Sequence, residues 1–208
     1  MPGYLDIATT ASVAATQEAL GSREFNREVA AQRVFTAFGE AEAAFIAARD
    51  SFYLATVSQT GWPYIQHRGG PPGFLKVLDE RTLGVADFRG NRQYITLGNL
   101  AASEKASLFL MDYLRQGRMK LFVRAKAVDL AGNPDLAARL ATPGYRAPVE
   151  RGLIFELEAF DWNCRQHITK RLTLPEVASV VSSMQGRIAA LEAENAALRA
   201  AAAQDANF

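Results

Sequence analysis

The chain is poor in the residues that most binding chemistries need. It has one cysteine and two histidines in 208 residues. A lone thiol, Cys164, excludes an internal disulfide framework and fits a reducing compartment. Two histidines and one cysteine are too few for a Cys/His zinc site. Cys164 and His167 stand three apart, a spacing that guarantees contact only on a helix, and no third group orients them as nucleophile and base. The net charge is only +1, which argues against nucleic acid, a partner that calls for a clustered basic face. No apolar run approaches the roughly 20 residues that span a bilayer, so no membrane partner is expected. The N-terminus has Asp6 and no early Lys or Arg. That makes a poor signal peptide, and a cytoplasmic location is expected. There is no Walker loop, and no Gly-x-Gly-x-x-Gly follows a strand.

What remains is an ordinary globular composition, 49% apolar and 22% charged. The length suits one large or two small domains. Residues 1–34 are polar and alanine-rich and read as a loosely tied arm, with a short helix near Ser12–Leu20. Ala41, Ala44, Phe45 and Ala48 recur at helical spacing over 40–49. The period then changes. FYLATVS (52–58), PYIQHRG (63–69), FLKVLD (74–79), LGVADF (83–88), ASLFLMDY (106–113), RMKLFVRAKAVDL (118–130) and LIFELEAFDW (153–162) are strands by their β-branched and aromatic content. Short turns join the first six into three hairpins. Six or seven such strands predict a small antiparallel barrel within a mainly β, α+β fold. Asn133 and Pro134 open a helix as N-cap and first helical residue.

Residues 173–208 end the chain as a long helix. Thr173 and Glu176 form a capping box at its start. Val177, Met184, Leu191 and Leu198 repeat every seven residues, as do Val181, Ile188 and Asn195. With the first set at d and the second at a, this is the pattern of a parallel two-stranded coiled coil. The alternative is an amphipathic helix packed on its own barrel.

Three stretches interrupt the strand chemistry. In HRGGPPGF (67–74), Gly69 and Gly70 let backbone approach a flat or anionic ligand closely. His67 and Arg68 alternate across the strand. The plainer reading is a bulge with a proline-terminated turn. In DFRGNRQY (87–94), Asn91, Arg92 and Gln93 fall at or just before the start of a helical segment, ITLGNLAASE. Orphan N–H groups there suit phosphate, and Arg adds a bidentate donor. The plainer reading is a surface loop. In DWNCRQHI (161–168), Trp162, Asn163, Cys164 and Gln166 suit a planar polar ligand. The plainer reading is a buried corner.

Taken in order, GWPYIQHRGG, GVADF leading into NRQ, RMKLFVRAKA and the late Trp corner resemble the FMN-binding split-barrel proteins related to pyridoxamine 5'-phosphate oxidase, over roughly residues 35–170. The resemblance implies a domain at 35–172 that binds FMN and a homodimer that shares each flavin between subunits. It implies that Gln66, His67, Arg68, Gly69 and Gly70 lie along the flavin. Asn91, Arg92 and Gln93 stand where the oxidase has a phosphate-gripping Ser-Arg-Lys; the Arg matches and the Lys does not. Lys120 corresponds to a flavin-facing Gln, and Trp162 to a late Trp. The oxidase's C-terminal substrate motif, Arg followed by Leu and Pro, is absent. The expected function is thus a flavin-dependent oxidoreductase, not that oxidase, acting on an unidentified small-molecule substrate with no assignable catalytic residue. The alternatives are a flavin-binding or sensing module without turnover, and the same fold holding haem or a deazaflavin.

Overall fold

The computed structural model describes residues 1–162 and 166–205. Its centre is one seven-stranded antiparallel sheet in the order β2-β1-β5-β6-β7-β4-β3. The strands are β1 (Ser51–Val57), β2 (Pro63–Gly69), β3 (Lys76–Asp79), β4 (Thr82–Phe88), β5 (Lys105–Asp112), β6 (Gly117–Val128) and β7 (Val149–Trp162). The three expected hairpins are β1–β2, β3–β4 and β5–β6. The last strand, β7, joins them by pairing with β6 on one side and β4 on the other. Among the described residues, the sheet is not closed by strand pairing. This is the split-barrel α+β fold.

Alternation along the strands explains the curl. Phe52, Leu54, Leu108, Leu110, Leu121 and Val123 are buried on one face, and the sheet wraps around them. Phe74 and Phe155 fill the centre, with ring centroids 5.8 Å and 6.0 Å from Phe52. Each aromatic pair contributes about 0.5–1.5 kcal/mol beyond its buried area.

The helices are α1 (Tyr4–Ala8), α2 (Ala11–Ala19), α3 (Arg23–Gln32), α4 (Glu40–Ala47), α5 (Ile95–Ala102), α6 (Pro134–Leu140) and α7 (Leu174–Asp205). The N-terminal segment holds three helices where the sequence predicts one, and it is not loosely tied. The Tyr4 ring stacks on Phe122 at 4.3 Å. Arg33 donates to the Trp162 carbonyl at 2.7 Å, and Phe35 forms a β-bridge with Phe160. These anchors are single residues dispersed in polar sequence, so composition conceals them. At α6 the predicted cap position is right but the side chain does not cap. Asn133 instead donates to the Asp129 carbonyl at 3.0 Å, tightening the preceding turn.

The chain divides into two compact units, Met1–Asp112 with Gln116–His167, and Tyr113–Arg115 with Ile168–Phe208. In the second unit α7 is continuous over 32 residues. Its capping box forms as predicted: the Glu176 carboxylate accepts from the Thr173 amide at 2.7 Å and from its hydroxyl at 2.9 Å. Among the described residues, no helix is long and apolar enough to cross a membrane.

Candidate functional site

The site begins with the gap in the barrel. β3 is short, and its pairing with β4 ends at Gly84, opposite Lys76. Val85–Phe88 therefore continue beyond β3, with no strand on that side among the described residues. β2, at the far edge of the sheet, presents Tyr64, Gln66 and Arg68 on its more covered positions. On β4, Asp87 follows Leu83 and Val85 on the inward face. Arg68 and Asp87 form an ion pair across the gap. Side chains thus hold together two strands that share no backbone ladder, and a cavity of about 340 Å³ opens beside them.

Two of the three sequence-predicted stretches meet in this cavity. Gln66, His67, Arg68 and Gly69 line it from β2, and Asn91, Arg92 and Gln93 line it from the loop after β4. That loop is tightly built. The Asn91 side chain accepts from the Gln93 amide at 3.1 Å and donates to the Gln93 side chain at 3.2 Å. Arg92 at φ 62° and Tyr94 at φ 54° are both left-handed. Such non-glycine residues cost on the order of 1–3 kcal/mol each and persist where surrounding structure imposes them. Around Tyr94 the constraints are visible: its hydroxyl donates to Glu150 at 3.3 Å, and the Arg151 guanidinium lies 5.2 Å from its ring centroid. Tyr94 is also the N-cap of α5 and makes no side-chain cap. The first residues of α5, Ile95, Thr96 and Leu97, line the cavity, so the positive end of the helix dipole faces it.

The cavity is rich in charge. Asp87 is buried and is held by Arg68 and, at 3.7 Å, by Arg151. Glu150 accepts from Arg89 at 3.1 Å and from Arg151 at 2.8 Å. Burial would raise the Glu150 carboxyl, but hydrogen bonds from Arg89 and Tyr94 and the charges of Arg151 and Arg89 outweigh it and hold it below its ordinary value. Three guanidiniums thus hold two carboxylates, and Arg92 adds a fourth to the cavity lining. Two donors are left over. Arg92 makes no hydrogen bond or ion pair among the described residues, and the Arg68 Nε is buried without a partner.

The remaining predicted residues lie elsewhere. Gly70 does not line the cavity, and its missing Cβ has a local cause. A Cβ there would fall 2.7–2.8 Å from the Phe74 side chain, in the core. At Gly69 a Cβ would come 3.1 Å from the His67 ring, which itself sits edge-on to Tyr53. Lys120 and Trp162 are on the paired strands β6 and β7, outside this cavity. Lys120 bonds Asp161 at 3.3 Å and lies 4.7 Å from the Tyr4 ring centroid. The Trp162 indole donates to Glu42 at 3.1 Å and meets Phe45 edge-on. Gln166 is exposed in a turn away from the cavity lining. Asn163 and Cys164 lie outside the described residues. Sequence reasoning missed Tyr64, Asp87, Arg89, Tyr145 and Glu150, which also line the cavity. Asp87 and Arg89 flank the predicted loop, and their charge beside its arginine was the available signal. Tyr145 and Glu150 arrive from the far side of α6 and carried none.

The sequence matches the family described as pyridoxamine 5'-phosphate oxidase over residues 38–148, more than half of the chain. No curated protein matches it. Similar solved structures include an FMN-binding protein from Syntrophomonas wolfei, at 18% identity and TM-score 0.45 over 73% of this chain and 95% of that one. HupZ from Group A Streptococcus is 14% identical, with TM-score 0.46 over 65% and 99%. A protein from Clostridium acetobutylicum related to general stress protein 26, of the pyridoxinephosphate oxidase family, is 14% identical, with TM-score 0.43 over 64% and 92%. The family match runs from Phe38 through both walls of the gap to Pro148, and the chain belongs to the pyridoxamine 5'-phosphate oxidase family.

Proposed function

We propose that the chain binds FMN in the cleft between β2 and β4 and serves a flavin-dependent redox reaction on a small molecule. The observation that carries this reading is the unpaired Arg92 guanidinium, held left-handed at the mouth of an uncapped helix start. A phosphate monoester carries a charge of about −1.5 to −2 at neutral pH, which matches the surplus of four guanidiniums over two carboxylates. Arg92 and the α5 amides would hold the phosphate. The buried Arg68 Nε and the Gln66 amide would meet the polar edge of the flavin, with Gly69 giving backbone access. When bound, FMN supplies the electron chemistry, and the protein binds, orients and shields it.

In this reading residues 1–34 form an arm, 35–172 the flavin-binding barrel, and 173–208 a dimerisation helix of a cytoplasmic homodimer. Lys120 and Trp162 lie outside the cavity, which fits a site completed by a partner subunit; Asn163, Cys164 and Gln166 would belong to that same corner. A second reading, a flavin-binding or sensing module without turnover, is favoured by one observation. Both cleft carboxylates are engaged by arginines, so neither is free to move a proton.

The test is a fluorescence titration of the apo-protein with FMN at fixed salt. A charge-assisted hydrogen bond is worth about 1.5–3 kcal/mol, so Arg92→Ala should weaken binding by about ten- to a hundredfold. Equal affinity in wild type and variant overturns the phosphate role, and absence of wild-type binding overturns the cofactor. Bleaching of the bound flavin by NADH or NADPH favours the oxidoreductase, and an inert flavin favours the sensing module. A Soret band on purification would replace both with haem.

A further inference from the structure

The second unit carries a surface that cofactor binding does not use. From Val177 to Leu198 the a and d positions of α7 make an apolar stripe broken only by Asn195 among the described residues. Val177, Val181, Met184, Ile188, Leu191 and Leu198 are 39–63% exposed. A soluble chain rarely leaves a contiguous apolar stripe in water; such patches mark interaction sites. The helix is also longer than an isolated turn or two would need. Its 32 residues extend about 48 Å at 1.5 Å per residue.

We propose that this stripe is the seam of a parallel two-stranded coiled coil with α7 of a second copy of the chain. The proposal stands apart from the flavin reading. Three features choose the occupant. The first is charge. Arg187 and Glu194 stand at g, and Glu192 and Arg199 stand at e. Residues five apart do not face each other on one helix, and none of these four makes an ion pair among the described residues. In a parallel pair, g of one helix meets e five residues on in its twin. Arg187 then meets the partner's Glu192, and Glu194 meets the partner's Arg199. The pattern complements itself, so the fitting partner is the same sequence.

The second feature is Asn195 at an a position. Within one chain its side chain donates to the Leu191 carbonyl at 3.3 Å and makes no other hydrogen bond among the described residues. In a parallel, in-register pair it faces its own symmetry mate, and the two amides can bond each other. In an antiparallel pair it faces an apolar d residue and is left unsatisfied. A single a-position Asn fixes register and orientation in this way. The third feature is the narrowness of the seam. Ser182, Ser183, Gly186, Ala189, Ala190 and Ala193 occupy the outer positions. None of these six carries a large apolar side chain for a third or fourth helix to bury.

The experiment uses the full chain with Cys164→Ser, so that an introduced thiol is the only one. Ala202→Cys places it at the next a position, where Cα atoms of a parallel pair lie within disulfide reach. Ala197→Cys, at an outer c position, is the control. Mild oxidation should convert nearly all of the Ala202→Cys chain to a covalent dimer, while the control stays largely monomeric on a denaturing gel. A Cys164→Ala background repeats the test should serine at 164 impair folding. Three results overturn the proposal: equal cross-linking at both positions, no cross-linking at 202 in a chain that sediments as a dimer, or sedimentation as a monomer. A covalent dimer formed only when Val177→Cys and Ala202→Cys chains are mixed would show an antiparallel pair and also overturns it.

Discussion

The cleft and the β6–β7 corner are built from similar side chains but treat them differently. Each holds a buried aspartate flanked by two cations: Asp87 by Arg68 and Arg151, and Asp161 by Lys120 and Arg33. Each has aromatic rings beside those charges. In the corner, the chain's own N-terminal segment completes the arrangement. Tyr4 covers Phe122 and Lys120, and Arg33 reaches both Asp161 and the Trp162 carbonyl. Burial, with the negative charge of Asp161, pushes the Tyr4 phenol above its ordinary value. Among the described residues, no segment of the chain plays that part in the cleft. The cations there outnumber their partners, and two backbone residues are left-handed. The same residue types make a cluster covered by the chain's own N-terminal segment in one place and line a cavity in the other.

The largest test of this contrast is Arg68→Ala. Removing one partner of a buried ion pair typically costs about 3–5 kcal/mol. Arg151, 3.7 Å from Asp87, should hold the loss toward the lower end. Denaturant unfolding of the apo-protein measures it, and Asp87→Asn added to Arg68→Ala should recover part of the loss. No destabilisation would mean that the ion pair does not hold the split together. Next comes Gly70→Ala, which forces a methyl into the Phe74 ring. Overpacking of this kind costs about 1–3 kcal/mol. Gly69→Ala presses only on the His67 side chain, which can turn away, and should cost less stability. Thermal melts of the two apo-variants should therefore separate; coincident melts would break the assignment of Gly70 to the core.

Lys120→Met sharpens the contrast further. If the corner is purely structural, FMN affinity at fixed salt should stay unchanged while stability falls modestly. Weakened FMN binding would instead bring the corner to a partner subunit's flavin. The smallest effect concerns Glu150. Its folded pKa is depressed, so its contribution to stability is present above the unfolded carboxylate value. It is lost as pH falls through the lowered folded value. The difference in melting temperature between wild type and Glu150→Gln should be seen near neutrality and vanish toward acid. A difference that persists in acid would assign the effect to packing.

The strands were legible because the apolar face repeats every second residue and the turns carry Gly, Asn and Asp. PYIQHRG ends in the structure where its glycine ends it in the sequence. The cleft was half legible. HRGG and NRQ stood out because strand packing has no use for them, and the fold brings His67, Arg68 and Gly69 together with NRQ. The partners of those residues were not legible. Arg68 needs Asp87, and Tyr94 needs Glu150 and Arg151, and such pairings appear only once the sheet order is known. Gly70 stood out with them but does not line the cavity. Its missing Cβ answers a ring four residues away, a local demand that resembles a functional one. The Lys120 and Trp162 positions point to the same difficulty, since nothing in RMKLFVRA reveals that Tyr4 will lie over it.

The strand order also has a consequence for the birth of the molecule. β4 is made early, but its long neighbour β7 is made only after β5, β6 and α6. On the ribosome the β3–β4 hairpin must wait, with Val85 and Ala86 lacking the strand that will flank them. β1 likewise waits for β5. The two walls of the cleft therefore come into register only when the last strand arrives and draws the early hairpins onto one sheet. Pairings so distant in sequence carry a large loop-closure cost and slow folding. Refolding experiments should find the fluorescence of flavin capture lagging behind the circular dichroism of the β5–β6 hairpin, because the cleft is the final product of assembly.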